Sequence, residues 1–166
     1  MIELPPRLIT AGCVGADEGM QEMGNLYETD FYAWANEQAA LLRAGKLSAA
    51  DIEHIAEEIE SMGKTEKREL ISRLTVLLLH LLKWRFQPVR RGSSWRATIR
   101  VQRLDLARHL DDNPSLKSQI PAAMADAYTV ALIQAADETG LDEATFPAAC
   151  PWSFDQVMDA GFWPEQ

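Results

Sequence analysis

The stretch TVLLLHLLKWRF, Thr75 to Phe86, constrains the fold most. Its apolar run reaches about ten residues before Lys83 and Arg85 interrupt it, well short of the roughly eighteen that cross a bilayer. Pro88 then blocks much continuation of a helix. The run therefore reads as the buried end of a long helix from about Lys64 to Phe86. Stepping round that helix by about 100° per residue groups Leu70, Leu74, Leu77 and Leu81 on one side and Lys67, Ser72 and Lys83 roughly opposite. His80 falls between them, near Glu69, Arg73 and Trp84. A half-buried imidazole needs a hydrogen-bond partner, so the plain expectation is packing on Trp84 and a bond to a carboxylate or amide. The competing expectation is a ligand or catalytic role.

Helix punctuation recurs along the rest of the chain, and strand alternation does not. Residues 1–24, rich in Gly, Pro and small residues, read as a flexible leader, with Met20 and Met23 as alternative starts. Residues 25–166 read as one helical-bundle domain. Thr29 is expected to cap a helix through about Ala44, with Phe31, Trp34, Ala35, Gln38, Leu41 and Leu42 along one face and Gly45 ending it. Ser48 is expected to cap the next helix, with Ile52, Ile55, Ile59 and Met62 as its buried stripe and Gly63 as its end or kink. After the long helix, Ser94 is the expected cap of a helix that turns Trp95, Ile99, Leu106 and Leu110 inward. Asn113-Pro114 signals a further start, and Pro121 divides a short piece from a helix through Asp137. Ser153 and Gln156 have the spacing of a capping box, with Trp152 and Val157 as its staple. Four main helices plus short extra ones, joined by short loops, predict an all-α antiparallel bundle.

Charge bears on partners. The chain of 166 residues carries a net charge of −9, which disfavours non-specific contact with DNA or an anionic membrane. The charge is unevenly spread. Between Lys83 and Arg108 eight basic residues face Asp105 alone, a net +7 that leaves −16 for the remainder. The segment DIEHIAEEIE carries Asp51, Glu53, Glu57, Glu58 and Glu60 with no Lys or Arg. Cys13 and Cys150 are too few and too far apart for a disulfide framework, which points to a reducing, cytoplasmic setting.

Motifs in a fixed order carry a resemblance: YETDFYAWANEQAALLRAGKL, IAEEIESMGKTEKREL, LLLHLLKWRFQP, SWRATIRVQR, NPSL, ETGL and FPAACPW. Across about Leu26 to Phe162 the chain resembles the bacterial all-helical family catalogued as domain of unknown function twenty-nine. The resemblance implies a mainly helical, cytosolic bacterial protein and carries no established activity. Its recurrent positions here would be Glu57, Glu58, Glu60, His80, Leu81, Leu82, Trp95, Arg103, Pro151 and Trp152.

The candidate sites are three. Gln102 lies on the inward face of its helix, and a buried amide must be hydrogen-bonded. Glu58, His80, Gln102 and Arg103 could form one interhelical polar network or a ligand site. Trp84, Arg90, Arg91, Trp95, Arg96 and Arg100 combine aromatics with positive charge and form a candidate interaction surface. The acidic helix is the third. A carboxylate-bridged metal pair would need a Glu-x-x-His on each of two helices, and only Asp51-x-x-His54 comes near, so no metal and no cofactor is expected. GKT at Gly63 lacks the glycine five residues earlier that a phosphate loop requires. Cys150, followed by Pro151 and Trp152, is expected to pack as a small apolar residue. The favoured reading is a helical bundle that acts by association with itself or another protein. A metal- or ligand-dependent enzyme around Glu58, His80 and Arg103 is the alternative, and nucleic-acid contact through a basic stripe of Arg96, Arg100 and Arg103, at i, i+4 and i+7, ranks third.

Overall fold

A computed structural model describes residues 26–165. The expected leader, Cys13 and both alternative start methionines lie outside the described residues. Within them every regular element is helical. Four long helices carry the fold: α1 (Phe31–Arg43), α2 (Ile52–Phe86), α3 (Ser93–Asp112) and α4 (Ile120–Thr139). A short fifth, α5, covers Phe154–Met158. The chain divides into two compact units between Glu60 and Ser61.

The first unit holds a helical turn at residues 26–29, α1 and the opening turns of α2. Asp30, not Thr29, caps α1, because its carboxylate accepts from the Ala33 N–H at 3.0 Å while Thr29 belongs to the preceding turn. Gly45 follows the helix with φ +69, the left-handed conformation that a glycine adopts without steric cost. Trp34 and Gln38 are buried as expected, whereas Phe31 and Leu42 are exposed. Ser48 sits inside a short 3₁₀ turn, Leu47–Ala49, and Asp51 takes over as cap by accepting from the His54 N–H at 3.3 Å. The expected buried stripe is a second correction: Ile52 and Ile59 are 51% and 64% exposed, and Met62, which belongs to the second unit, is 68% exposed.

The second unit begins within α2. Gly63 does not end the helix, which continues through it with a φ that is not positive. From Leu74 onward α2 becomes apolar all round: Leu74, Leu77, Leu78, Leu79, Leu81, Leu82 and Trp84 are all buried. α3 runs antiparallel to it, since His109 bonds to Glu66 while Asp105 bonds to Arg73. Asparagine 113 and Pro114 open a 3₁₀ turn, Pro114–Gln119, and Pro121 sits in the first turn of α4. α3 starts at Ser93 with Gly92 as its cap, two residues earlier than the Ser94 cap predicts, yet Ile99, Leu106 and Leu110 are buried as expected. The capping box of α5 is present, and Trp152 and Val157 are both in the core.

Lys83 departs from the helical-wheel expectation. It is buried, with its ammonium paired to Glu138 on α4 and 4.7 Å from the Trp95 ring centre. Helices pack on more than one side of α2 here, so no solvent face remains at this level and the charge survives by pairing.

Candidate functional site

His80 has a local answer. Its Nδ1 lies 2.8 Å from the Val76 carbonyl one turn back, and a carbonyl only accepts, so the ring proton sits on Nδ1. Burial holds its pKa below the usual histidine value, the Val76 bond works against this, and the nearby Lys83 charge adds to it. The ring stays neutral near pH 7 and serves the leucine run as a polar group tied to its own helix.

Arg103 is the more demanding residue. It projects from α3 into the core at 6% exposure. Its Nε donates to the Val157 carbonyl at 2.7 Å and one terminal nitrogen donates to the Phe162 carbonyl at 2.8 Å. Its other terminal nitrogen is buried with no hydrogen-bond partner. The guanidinium also sits 5.5 Å from the Trp163 ring centre, and Trp163 packs on Trp84 at 4.7 Å. Arg103 thus fastens α5 and the chain that follows it onto α3 through two backbone carbonyls. Desolvation lowers its pKa, partly countered by the charge of Asp159.

These placements redistribute the polar set. Glu58, in the first unit, accepts from the Tyr27 hydroxyl at 2.6 Å. Among the described residues, no hydrogen bond joins His80, Gln102 and Arg103 to one another, and the buried Oε1 of Gln102 has no partner. Two grooves of about 480 and 350 Å³ are lined by other residues, the larger by Met124, Tyr128, Cys150 and Trp152 among others. Burial raises the Cys150 thiol pKa, and its Sγ lies 3.4 Å from the Trp152 carbonyl, so it packs as expected. Among the described residues no group of three or more His, Cys, Asp and Glu side chains is placed to hold a metal ion. No helix among them is long and apolar enough to cross a membrane.

The basic segment also divides. Trp84 lies in the core at 7% exposure, not on the surface, because Trp163 covers it and the guanidinium groups of Arg91 and Arg96 lie 5.5 and 5.7 Å from its ring centre. Arg91 also donates to the Trp84 carbonyl at 2.7 Å. Trp95 is half-buried under Lys83, whereas Arg90, Arg96 and Arg100 are exposed.

In the first unit sequence reasoning missed a cluster around Asp51. His54 Nδ1 donates to its carboxylate at 2.6 Å, the Trp34 indole lies at 3.4 Å, and the Asp51 N–H donates to Gln38 at 2.9 Å. Tyr27 stacks on the His54 ring with centres 4.1 Å apart. The i, i+3 spacing of Asp51 and His54 was the available signal. It marks a helix cap with its own counter-charge. Burial raises the Asp51 pKa, but the bonds from His54 and Trp34 outweigh it and leave it lowered. The same bond, opposed by desolvation, raises the pKa of His54.

The family described as Domain of unknown function DUF29 matches residues 26–163. The chain belongs to the DUF29 family. The DUF29 match begins beside Tyr27, which stacks on His54, and ends at Trp163, which packs on Trp84, so both clusters fall within it. No curated protein and no solved structure matches the chain. Of the positions expected to recur in DUF29, Leu81, Leu82, Arg103 and Trp152 are buried, while Glu57 and Glu60 are exposed.

Proposed function

We propose that this DUF29 chain acts by protein association in the reducing cytosol, and that the opening turns of α2 are its principal contact surface. One observation carries the reading. Ile52 and Ile59 are exposed on one face at heptad spacing, with the half-buried Ile55 between them. These three residues fall within an arc of about 60° at 100° per residue. Apolar residues at such spacing are the recognition pattern of a helix that docks against another helix. Contiguous exposed apolar patches of this kind mark interaction sites more often than isolated surface residues do. At 100° per residue Glu58 flanks this face, whereas Glu53, Glu57 and Glu60 lie away from it.

A tagged pull-down from the native cell at moderate salt, run beside Ile59→Glu, tests the reading. Support is a stoichiometric companion, either this chain or another protein, that reassembles from purified components and is lost in Ile59→Glu. Wild-type chain that comes through alone and does not self-associate overturns it.

A further inference from the structure

A second open face lies on α3, wholly within the second unit. Ile99, Leu106 and Leu110 turn one side of this helix into the core. The opposite side carries Ala97, Val101, Leu104 and Arg108, all exposed, with Val101 and Leu104 at 49% and 58%. Their spacing is i, i+4, i+7 and i+11, which places them within an arc of about 60° at 100° per residue. From Ala97 to Arg108 the stripe drifts by only about 20°, so it runs nearly parallel to the helix axis. Its two ends differ in sign. Ser93 and Ser94 flank the start, one on each side, at the positive end of the helix dipole, where Gly92 supplies no side-chain cap. Asp111 and Asp112 flank the end at the negative pole, five full turns later and therefore on the same two sides. Among the described residues, neither serine hydroxyl and neither carboxylate has a hydrogen-bond or ion-pair partner.

We infer that this outward face of α3 joins two copies of the chain as an antiparallel pair of helices, with Val101 and Leu104 at its centre. The face is complementary to itself. A two-fold axis midway between residues 102 and 103 brings Val101 level with Leu104 of the second copy, and Ala97 level with the aliphatic stem of its Arg108. In the same register Asp111 arrives beside Ser93 of the second copy and Asp112 beside its Ser94. Each α3 thus receives at its uncapped start the carboxylates that an N-terminus favours, while both apolar centres leave water. Of the arginines on or beside the stripe, Arg108 has Asp105 at 3.8 Å, and Arg100 lies on the side that receives Asp111. Parallel pairing would set the four carboxylates against one another, and like charges brought together oppose docking. The inference goes beyond the association reading above, because it uses a different helix and leaves the isoleucines of α2 open to another partner.

Sedimentation velocity on the full-length chain, up to several hundred micromolar, tests it, with circular dichroism checking helicity. A single helix pair is a small interface, so wild type passes from monomer to dimer within the micromolar range. Leu104→Glu raises the dissociation constant roughly tenfold or more, as loss of a central apolar contact does. Two double variants test the register: Ser93→Asp/Ser94→Asp and Asp111→Lys/Asp112→Lys. Both put charge where the helix dipole favours it, so both keep the fold. Each alone dimerises more weakly than wild type, since the first sets carboxylates together and the second brings ammonium groups to positive helix ends. Mixed in equal amounts they form a one-to-one complex by native mass spectrometry, because the new carboxylates of one meet the new ammonium groups of the other. A mixture that gives no complex overturns the inference, as does a dimer unchanged by Leu104→Glu or wild type that stays monomeric throughout. Ile59→Glu leaves this dimer intact; its loss there would place self-association on α2, overturning the inference and leaving the association reading in place.

Discussion

Two stretches of α2 use the same residue types in opposite ways. Between Leu70 and Leu82 the leucines are buried whichever way they point, and even Lys83 beyond them is enclosed. Between Ile52 and Met62 three of the four apolar residues stand in solvent. Helix propensity does not distinguish the stretches; the neighbours do. The leucine stretch lies among α3, α4 and the segment held by Arg103. The isoleucines, though not Met62, share their unit with α1, whose own contribution is Trp34, Gln38 and the aromatic stack around His54. Apolar pattern shows which face of a helix wants a partner. It does not show whether the partner belongs to the same chain.

The largest expected effect separates the stretches directly. Leu78→Ala should cost about 2–5 kcal/mol, the range for emptying a fully buried leucine site. Ile59→Ala should stay within about 0.5 kcal/mol of wild type under monomeric conditions, as surface substitutions do. Urea denaturation at low protein concentration measures both, and equal losses would erase the distinction.

Arg103→Ala comes next. Removing it strips donors from the Val157 and Phe162 carbonyls and loosens Trp163 from Trp84, and unpaired buried acceptors cost about 1–3 kcal/mol each. Trp fluorescence should shift red together with the loss of stability. Lysine at this position should not restore either, because a point charge cannot bond in two directions in the plane of a guanidinium.

A smaller effect belongs to the cap. Asp51→Ala should destabilise the start of α2 by about 1 kcal/mol, typical of a lost N-cap, with faster hydrogen exchange at the His54 and Ile55 amides as its local signature. Unchanged exchange there would show that the 3₁₀ turn before it, not the carboxylate, holds the helix end.

The smallest contrast is between the two histidines. His54 has its pKa raised by Asp51, so its protonated form stabilises the fold; that contribution is complete below about 6.5 and lost as pH rises through the folded value. His80 has its pKa lowered by burial, so its neutral form stabilises the fold; that contribution is present above about 6.5 and lost as pH falls toward the folded value. NMR titration of the two rings should place them on opposite sides of 6.5. Both on one side would break the contrast.

Much of the architecture was legible because it depends on local chemistry. Pro88, the Asn113-Pro114 pair, Pro121, Gly45 and the Ser153–Gln156 box act within a few residues of chain, and each element boundary they predict lies at or near the observed one. Two caps failed where candidates competed: Asp30 displaced Thr29 and Asp51 displaced Ser48, since a carboxylate next to the first free N–H groups takes the bond; a third, Ser94, gave way to Gly92, which caps with no side chain. Gly63 misled because an isolated glycine weakens a helix without ending it.

The candidate site was less legible. Gln102 reads inward from its helix angle, but Arg103 reads equally as part of a basic stripe with Arg96 and Arg100, and the structure buries it away from them. Arg103 pairs with backbone carbonyls more than fifty residues onward, and a carbonyl leaves no trace in residue identity. Trp84 reads as a surface aromatic among arginines until Trp163, at the far end of the matched region, covers it. The sequence alone therefore determined helix class, most helix ends, the segregation of charge and the family, all of which are written in neighbouring residues. Tertiary structure decided which apolar faces are buried, where Arg103 and Lys83 find partners and which stripe remains open, because burial is a property of what lies across from a residue and not of the residue or its spacing.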